Sequence, residues 1–172
     1  GVYLYCKKGT RYLDFTSGIG VTSLGHSHPS LISALKSQAE KIWHCSNLFR
    51  IENQQIVADK LTQNSFAESV FFCNSGTEAV EAGIKVIRKY FNAVNEKRFK
   101  IICAKNSFHG RTYAAISASG KSKLTEGFEP VLSGFKQVAF NDSKAISRSV
   151  DKETAAIMIE TVQGEGGITP AK

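Results

Sequence analysis

The apolar positions of the chain follow two rhythms, one before and one after Val70. Near the start, Tyr3-Leu4-Tyr5-Cys6 and Arg11-Tyr12-Leu13-Asp14-Phe15 flank the polar turn Lys7-Lys8-Gly9-Thr10, which predicts a β-hairpin. Thr16 to Val21, broken by Gly18 and Gly20, predicts a loop. Pro29 is suited to the first turn of a helix, with Leu31, Leu35, Ile42 and Trp43 as a buried stripe ending near His44. A second helix is expected from about Asn53 to Gln63, with Ile56, Val57 and Leu61 inward. From Val70 onward, short apolar runs alternate with helical spacing. Val70 to Cys73 reads as a buried strand, and a helix follows from Thr77 to about Phe91. On that helix Ala79, Gly83, Val86, Ile87 and Tyr90 fall on one stripe, with Glu81 and Lys85 on the other side. Further strands are expected at 100–104, 136–140 and 155–160, with a short helix after Asp142. This alternation predicts an α/β domain with a mostly parallel sheet flanked by helices. It is preceded by an N-terminal hairpin-and-helix segment, with the boundary placed between residues 1–45 and 46–172.

Composition narrows the class. A chain of 172 residues with 42% hydrophobic and 22% charged positions is that of a globular protein able to build a core. No apolar run approaches membrane-spanning length and no signal peptide is visible, so a cytoplasmic setting without a membrane partner is expected. Cys6, Cys45, Cys73 and Cys103 are scattered, which suits reduced packing residues and not a disulfide framework. His26 and His28 share a Gly-His-Ser-His-Pro turn without Cys or carboxylate ligands at metal spacing, so no metal is expected. The net charge of +7 raises the question of nucleic acid. The basic residues thicken between Lys85 and Lys105, on the polar side of a helix and the loop after it, with few interleaved aromatics for stacking. A solvated face that favours anionic ligands is the better reading.

The chemistry gathers where strands end. Ser75 and Glu78 have the spacing of a capping box, and a glycine turn entering a helix exposes backbone N–H groups at the positive end of its dipole. Ser75, Gly76 and Thr77 therefore make a candidate phosphate cradle, although an ordinary capped turn would look the same. In a parallel sheet, ligands lie beyond the carboxyl ends of the strands. Three loops should meet there: 75–77, Phe108-His-Gly-Arg111 and Gly164-Glu-Gly-Gly167. They would offer a cradle, an aromatic plane (Phe108), a carboxylate-binding fork (Arg111) and a carboxylate (Glu165). Taken singly, Phe108 could be core, Arg111 a loop tether and Glu165 a solvated turn residue. Ala115 to Ser122 approximates a triphosphate-binding loop. However, it lacks the first glycine, a strand just before it and a long helix just after, since Gly127 and Pro130 interrupt.

The same residues carry a resemblance. Tyr12-Leu-Asp-Phe-Thr-Ser-Gly18, Leu24-Gly-His-Ser-His-Pro29, Ser46-Asn-Leu-Phe49, Phe71-Phe-Cys-Asn-Ser-Gly-Thr-Glu-Ala79, Asn106-Ser-Phe-His-Gly-Arg-Thr112, Gly127-Phe-Glu-Pro130, Phe140-Asn-Asp142 and Gln163-Gly-Glu-Gly-Gly167 occur in one order along essentially the whole chain. This series resembles the class-III pyridoxal-phosphate aminotransferases, and among them the acetylornithine enzymes of arginine biosynthesis. The resemblance implies part of the large domain of a fold-type I transferase, over residues 46–172, homodimeric in the full-length protein. It implies that Ser75, Gly76 and Thr77 hold the phosphate of pyridoxal 5'-phosphate and that Phe108 stacks on its ring. Arg111 would bind the carboxylate of N-acetylornithine or 2-oxoglutarate, and Glu165 would be a switch carboxylate pairing with an arginine farther along the chain. The implied reaction moves a terminal amino group from a small-molecule donor to 2-oxoglutarate, with the cofactor as electron sink.

Two departures stand out: Glu160-Thr161 where Glu-Pro is usual, and Val80 where acetylornithine members often carry Asn. The family's cofactor-carrying lysine and its pyridinium-pairing aspartate are both expected beyond Lys172. No lysine here, Lys105 and Lys121 included, has the motif context for that role. The expectation is a catalytically silent fragment with no catalytic residue of its own. The alternative is a non-catalytic remnant or interaction module that keeps the fold.

Overall fold

The computed structural model describes residues 1–172, which form two compact units, Gly1–Val70 and Phe71–Lys172. By contacts, residues 46–70 group with the first unit.

In the first unit the hairpin pairs β1 (Tyr3–Tyr5) antiparallel with β2 (Arg11–Leu13), placing Tyr3 opposite Leu13 and Tyr5 opposite Arg11. The loop at 16–21 holds a short helical turn, α1 (Ser17–Gly20), in which Gly18 and Ile19 take left-handed angles. Asp14 organises this turn: its Oδ1 accepts from Thr16 N at 2.9 Å, Thr16 Oγ1 at 2.6 Å and Ser17 N at 3.1 Å. His26 Nε2 meets the other carboxylate oxygen at 2.7 Å. Two helices follow, α2 (Pro29–Ala39) and α3 (Glu52–Gln63). The helix expected to reach His44 ends at Ala39. The predicted inward stripes are not buried: Leu35 is 72% exposed, Trp43 88%, Ile56 45% and Leu61 49%. No residue of 1–70 is buried.

The second unit is built on β3 (Lys100–Ala104), a five-residue strand buried over Ile101 to Ala104. It lies between β4 (Phe135–Val138) and β5 (Thr154–Met158), both parallel to it, so the sheet order is β4-β3-β5. An all-parallel arrangement needs crossovers, and helices supply them. α4 (Gly76–Ala93) and α5 (Tyr113–Ser119) cover one face. Ile84 from α4 and Ala114 and Ala118 from α5 close over Ile101 and Cys103, with Val80, Ile87, Phe135 and Met158 around them. The short α6 (Ser122–Thr125) leads toward β4, and α7 (Ser143–Ser149) leads toward β5. On the far face, Ile102, Val138, Phe140, Ile146, Ile157 and Ile159 line a cavity of about 250 Å³. β6 (Val162–Gln163) and β7 (Thr169–Pro170) pair antiparallel and close the turn that carries Glu165.

Two expectations are corrected in this unit. Val70 to Cys73 is not a strand, and Phe71 is 74% exposed. A strand needs a neighbour for its backbone groups, and the sheet of this chain places none beside that run. The inward face of α4 is also rotated from the predicted one. Val80, Ile84 and Ile87 meet the sheet, while Val86 and Tyr90 are 66% and 60% exposed. The helix carries apolar residues on two sides, and periodicity alone does not say which side finds a partner.

Candidate active site at the carboxyl ends of the strands

The entrance to α4 is fixed by its own sequence. Ser75 is extended, and its Oγ accepts from Glu78 N at 3.2 Å, while a Glu78 carboxylate oxygen accepts from Asn74 N at 2.6 Å. The Ser75 half of the expected capping box forms, while the Glu78 carboxylate reaches one residue farther back, to Asn74 N in place of Ser75 N. The cap uses the Ser75 side chain and leaves the first helical N–H groups, at Gly76 and Thr77, without intrahelical partners. A Cβ built on Gly76 would meet nothing within 4 Å, so the main chain there is open to an incoming group. An 18-residue helix then places the positive end of its dipole at that opening.

The loop after β3 lies against this entrance. Gly110 has φ +119, and a Cβ there would overlap Thr77 Oγ1, 3.3 Å from Thr77 Cβ and 3.4 Å from Ala115 Cβ. Only glycine combines that backbone angle with that approach. The loop is held at its other end by Ser107, which is fully buried. Its Oγ lies 2.8 Å from Ala104 O and 3.1 Å from Ser119 O. Between these anchors stands Phe108, half-buried, whose backbone N–H donates to Glu160 Oε2 at 3.2 Å. The Arg111 guanidinium is exposed and lies 5.9 Å from the Phe108 ring centroid.

The third loop reaches the same ring through Lys121. Its Nζ sits 3.0 Å from Glu165 Oε2 and 6.0 Å from the Phe108 centroid. Gly120 puts it there: this residue ends α5 in the left-handed conformation, φ +62, close to Gln137 and the Lys105 backbone. Gln163, 3% exposed, ties the Glu165 turn back to β3 by donating from Nε2 to Lys105 O at 3.0 Å. Of the residues singled out by sequence, Thr77, Phe108, Arg111 and Glu165 are thus linked through Gly110 and Lys121, with Ser75 and Gly76 at the α4 entrance adjoining Thr77. The residues 115–119 of the triphosphate-loop lookalike lie inside α5.

Sequence reading passed over four side chains in this neighbourhood. Lys121 and Glu165 are 44 residues apart, and no short motif joins them. Burial raises the Glu160 carboxyl above its ordinary value, against the opposing pull of the Phe108 N–H and the Lys121 charge. His109 is 8% exposed, its Nε2 is buried without a partner, and burial lowers its pKa so that the ring is neutral near pH 7. Thr112 Oγ1 is likewise buried and unpartnered. Buried polar atoms of this kind in the loop between Phe108 and α5 suit a pocket that receives a polar ligand. An aromatic plate, an open helix entrance and two cations suit a flat ring bearing a phosphate. No cluster of His, Cys, Asp or Glu could hold a metal ion, and no helix is long and apolar enough to cross a membrane.

Comparison with known proteins places the chain in a family. The acetylornithine aminotransferase of Agrobacterium fabrum is 50% identical over 174 residues, covering 100% of this chain and 44% of the relative. That of Caldanaerobacter subterraneus is 52% identical over 172 residues, covering 99% and 44%. Among solved structures, the ornithine aminotransferase of Toxoplasma gondii, with partial occupancy of PLP at its active site, superposes with a TM-score of 0.92. It is 30% identical, over 100% of this chain and 42% of that one. The N-acetylornithine aminotransferase of Stenotrophomonas maltophilia superposes with a TM-score of 0.81 at 36% identity, over the same shares. The chain therefore spans less than half the length of these relatives. The model of the aminotransferase class-III family matches residues 1–172, and the chain belongs to that family.

Proposed function

We propose that this chain carries the phosphate-binding and carboxylate-binding side of a pyridoxal-phosphate-dependent aminotransferase. In the full-length protein the reaction would move the terminal amino group of N-acetylornithine, or a related ω-amine, to 2-oxoglutarate, as part of arginine biosynthesis and within a homodimer. The single observation that supports this most is the seating of Gly110, two residues after Phe108, on Thr77 at the entrance of α4.

The residues present fit the cofactor. Gly76 and Thr77 would donate backbone N–H groups to its phosphate, Ser75 would shape the cradle as the helix cap, and Phe108 would lie against its ring. Pyridoxal phosphate, when bound, supplies the conjugated electron sink for amino-group transfer, and the protein supplies orientation and charge. Arg111 would receive a substrate carboxylate on its planar fork. Glu165 would set the charge opposite it, and the neutral His109 ring would line the loop between them. No lysine of residues 1–172 is assigned as the cofactor carrier.

Titration with pyridoxamine phosphate tests the reading, because this amine form cannot condense with surface lysines. Saturable binding is expected at one site, weakened by Phe108→Ala and competed by inorganic phosphate. Binding that is absent, or indifferent to Phe108→Ala, overturns it. Borohydride treatment after incubation with pyridoxal phosphate should modify no single lysine stoichiometrically, and a one-to-one adduct would refute the assignment of no carrier.

A further inference from the structure

The resemblance led to the expectation that Glu165 pairs with an arginine farther along the chain, yet within these residues its carboxylate already has a cation. Lys121 Nζ is 3.0 Å away, and the lysine side chain is only 18% exposed while Glu165 is 50% exposed. The lysine is held from below. Gly120 turns left-handed at the end of α5, and Lys121 N donates to Ser119 Oγ at 3.3 Å. Its ammonium also lies within reach of the Phe108 face, and its charge acts on Glu160, whose Oε2 accepts the Phe108 N–H. One cation thus touches the aromatic plate and the acidic turn, and bears on the carboxylate that fixes the plate's backbone.

We propose that Lys121 is a positioning residue of this pocket: it ties the Glu165 turn to the Phe108 plate and, together with Arg111, offsets the two carboxylates that would otherwise repel an anionic, phosphate-bearing ligand. This rests on the function proposed above. The rim carries two cations, Arg111 and Lys121, against two anions, Glu160 and Glu165. Removing Lys121 leaves one cation against two anions, and removing the Glu165 charge reverses the imbalance. A lysine that merely packed against α5 would give no such ordering.

The test is a charge series in the intact chain, probed with pyridoxamine phosphate at low and high salt. Relative to the parent, Lys121→Met should weaken binding roughly two- to fivefold and Glu165→Gln should strengthen it by a similar factor, as expected for one partly exposed charge near the ligand. The double variant should return to the parent affinity, Lys121→Arg should bind like the parent, and high salt should compress the whole series. A second readout needs no ligand: carboxyl-carbon NMR of Glu160, whose midpoint should rise in Lys121→Met and return in Lys121→Arg. The groups acting on Glu160 are Lys121, Glu165 and the Phe108 N–H, so Glu165→Gln should move the midpoint the opposite way. An unmoved Glu160 midpoint, or equal affinities across the series, overturns the proposal. If the parent fails to bind the probe while the Glu160 midpoint moves as described, the functional reading fails and the Lys121 bridge stands. Should Lys121→Met not fold, Lys121→Arg and Glu165→Gln still decide the matter.

Discussion

Substituting Gly110 by alanine examines the contact on which the pocket geometry rests. Two costs combine. At φ +119 an L-residue is strained by about 1–2 kcal/mol. The new methyl group would also overlap Thr77 Oγ1 and crowd Ala115, a case of overpacking that costs about 1–3 kcal/mol. The expected loss is therefore about 2–5 kcal/mol, enough to lower a urea midpoint by about 1–2 M at the denaturant sensitivity of small domains. Gly76→Ala is the control, since its Cβ has open space and no positive φ, and it should change stability by no more than about 0.5 kcal/mol. Adding Thr77→Ala to Gly110→Ala should return the steric part of the loss and not the backbone part, giving a coupling of about 1–2 kcal/mol in the double-mutant cycle. A Gly110→Ala protein as stable as the parent would mean the loop does not sit on the α4 entrance. Zero coupling to Thr77 would mean the strain is backbone alone.

Three further outcomes are expected. Ser75→Ala should lower the unfolding free energy of the Phe71–Lys172 unit, read from urea titration, by about 1 kcal/mol through loss of the cap on Glu78 N, and Ser75→Asp should retain most of it. Alkylation under native conditions should modify Cys6 first, because hydrogen bonds from Thr10 lower its pKa at an exposed site. Cys103, whose thiol burial pushes up to about 12, should react only after unfolding, and peptide mapping over time distinguishes the two. Hydrogen bonds from Thr16 and His26 depress the Asp14 carboxyl from 3.8 to about 2, so its contribution to stability is complete above about pH 4 and fades as pH falls toward 2. Asp14→Asn should abolish that acid dependence in the amide signals of Thr16 and Ser17, and an unchanged acid profile would remove Asp14 from the role.

The sequence made the sheet and the capping box legible because both are local. Ile101 to Ala104 is an apolar run with no helical spacing, and Ser75 and Glu78 meet through a fixed three-residue geometry. What it could not supply was the identity of neighbours. Val70 to Cys73 has the composition of a strand, but a strand is defined by the chain beside it. On α4, Ile84 was hidden among apolar residues on two sides of the helix, and only the position of Ile101 decides which side is inward. The three-loop meeting follows from parallel topology, whereas Lys121 sits in the triphosphate-loop lookalike and carries no motif of its own. Its significance depends on Gly120 turning the chain back toward Glu165, a tertiary fact with no signature in spacing.

The absence of any buried apolar residue in residues 1–70 has a consequence for how the chain comes apart. Cooperative melting needs an interior whose loss is felt everywhere at once, and α2 and α3 have none. Their amide protons would trade with solvent through local fraying, a turn at a time, while those of β3 would wait for the whole sheet to open. A single calorimetric peak from this polypeptide would therefore report the sheet alone and stay blind to its first seventy residues.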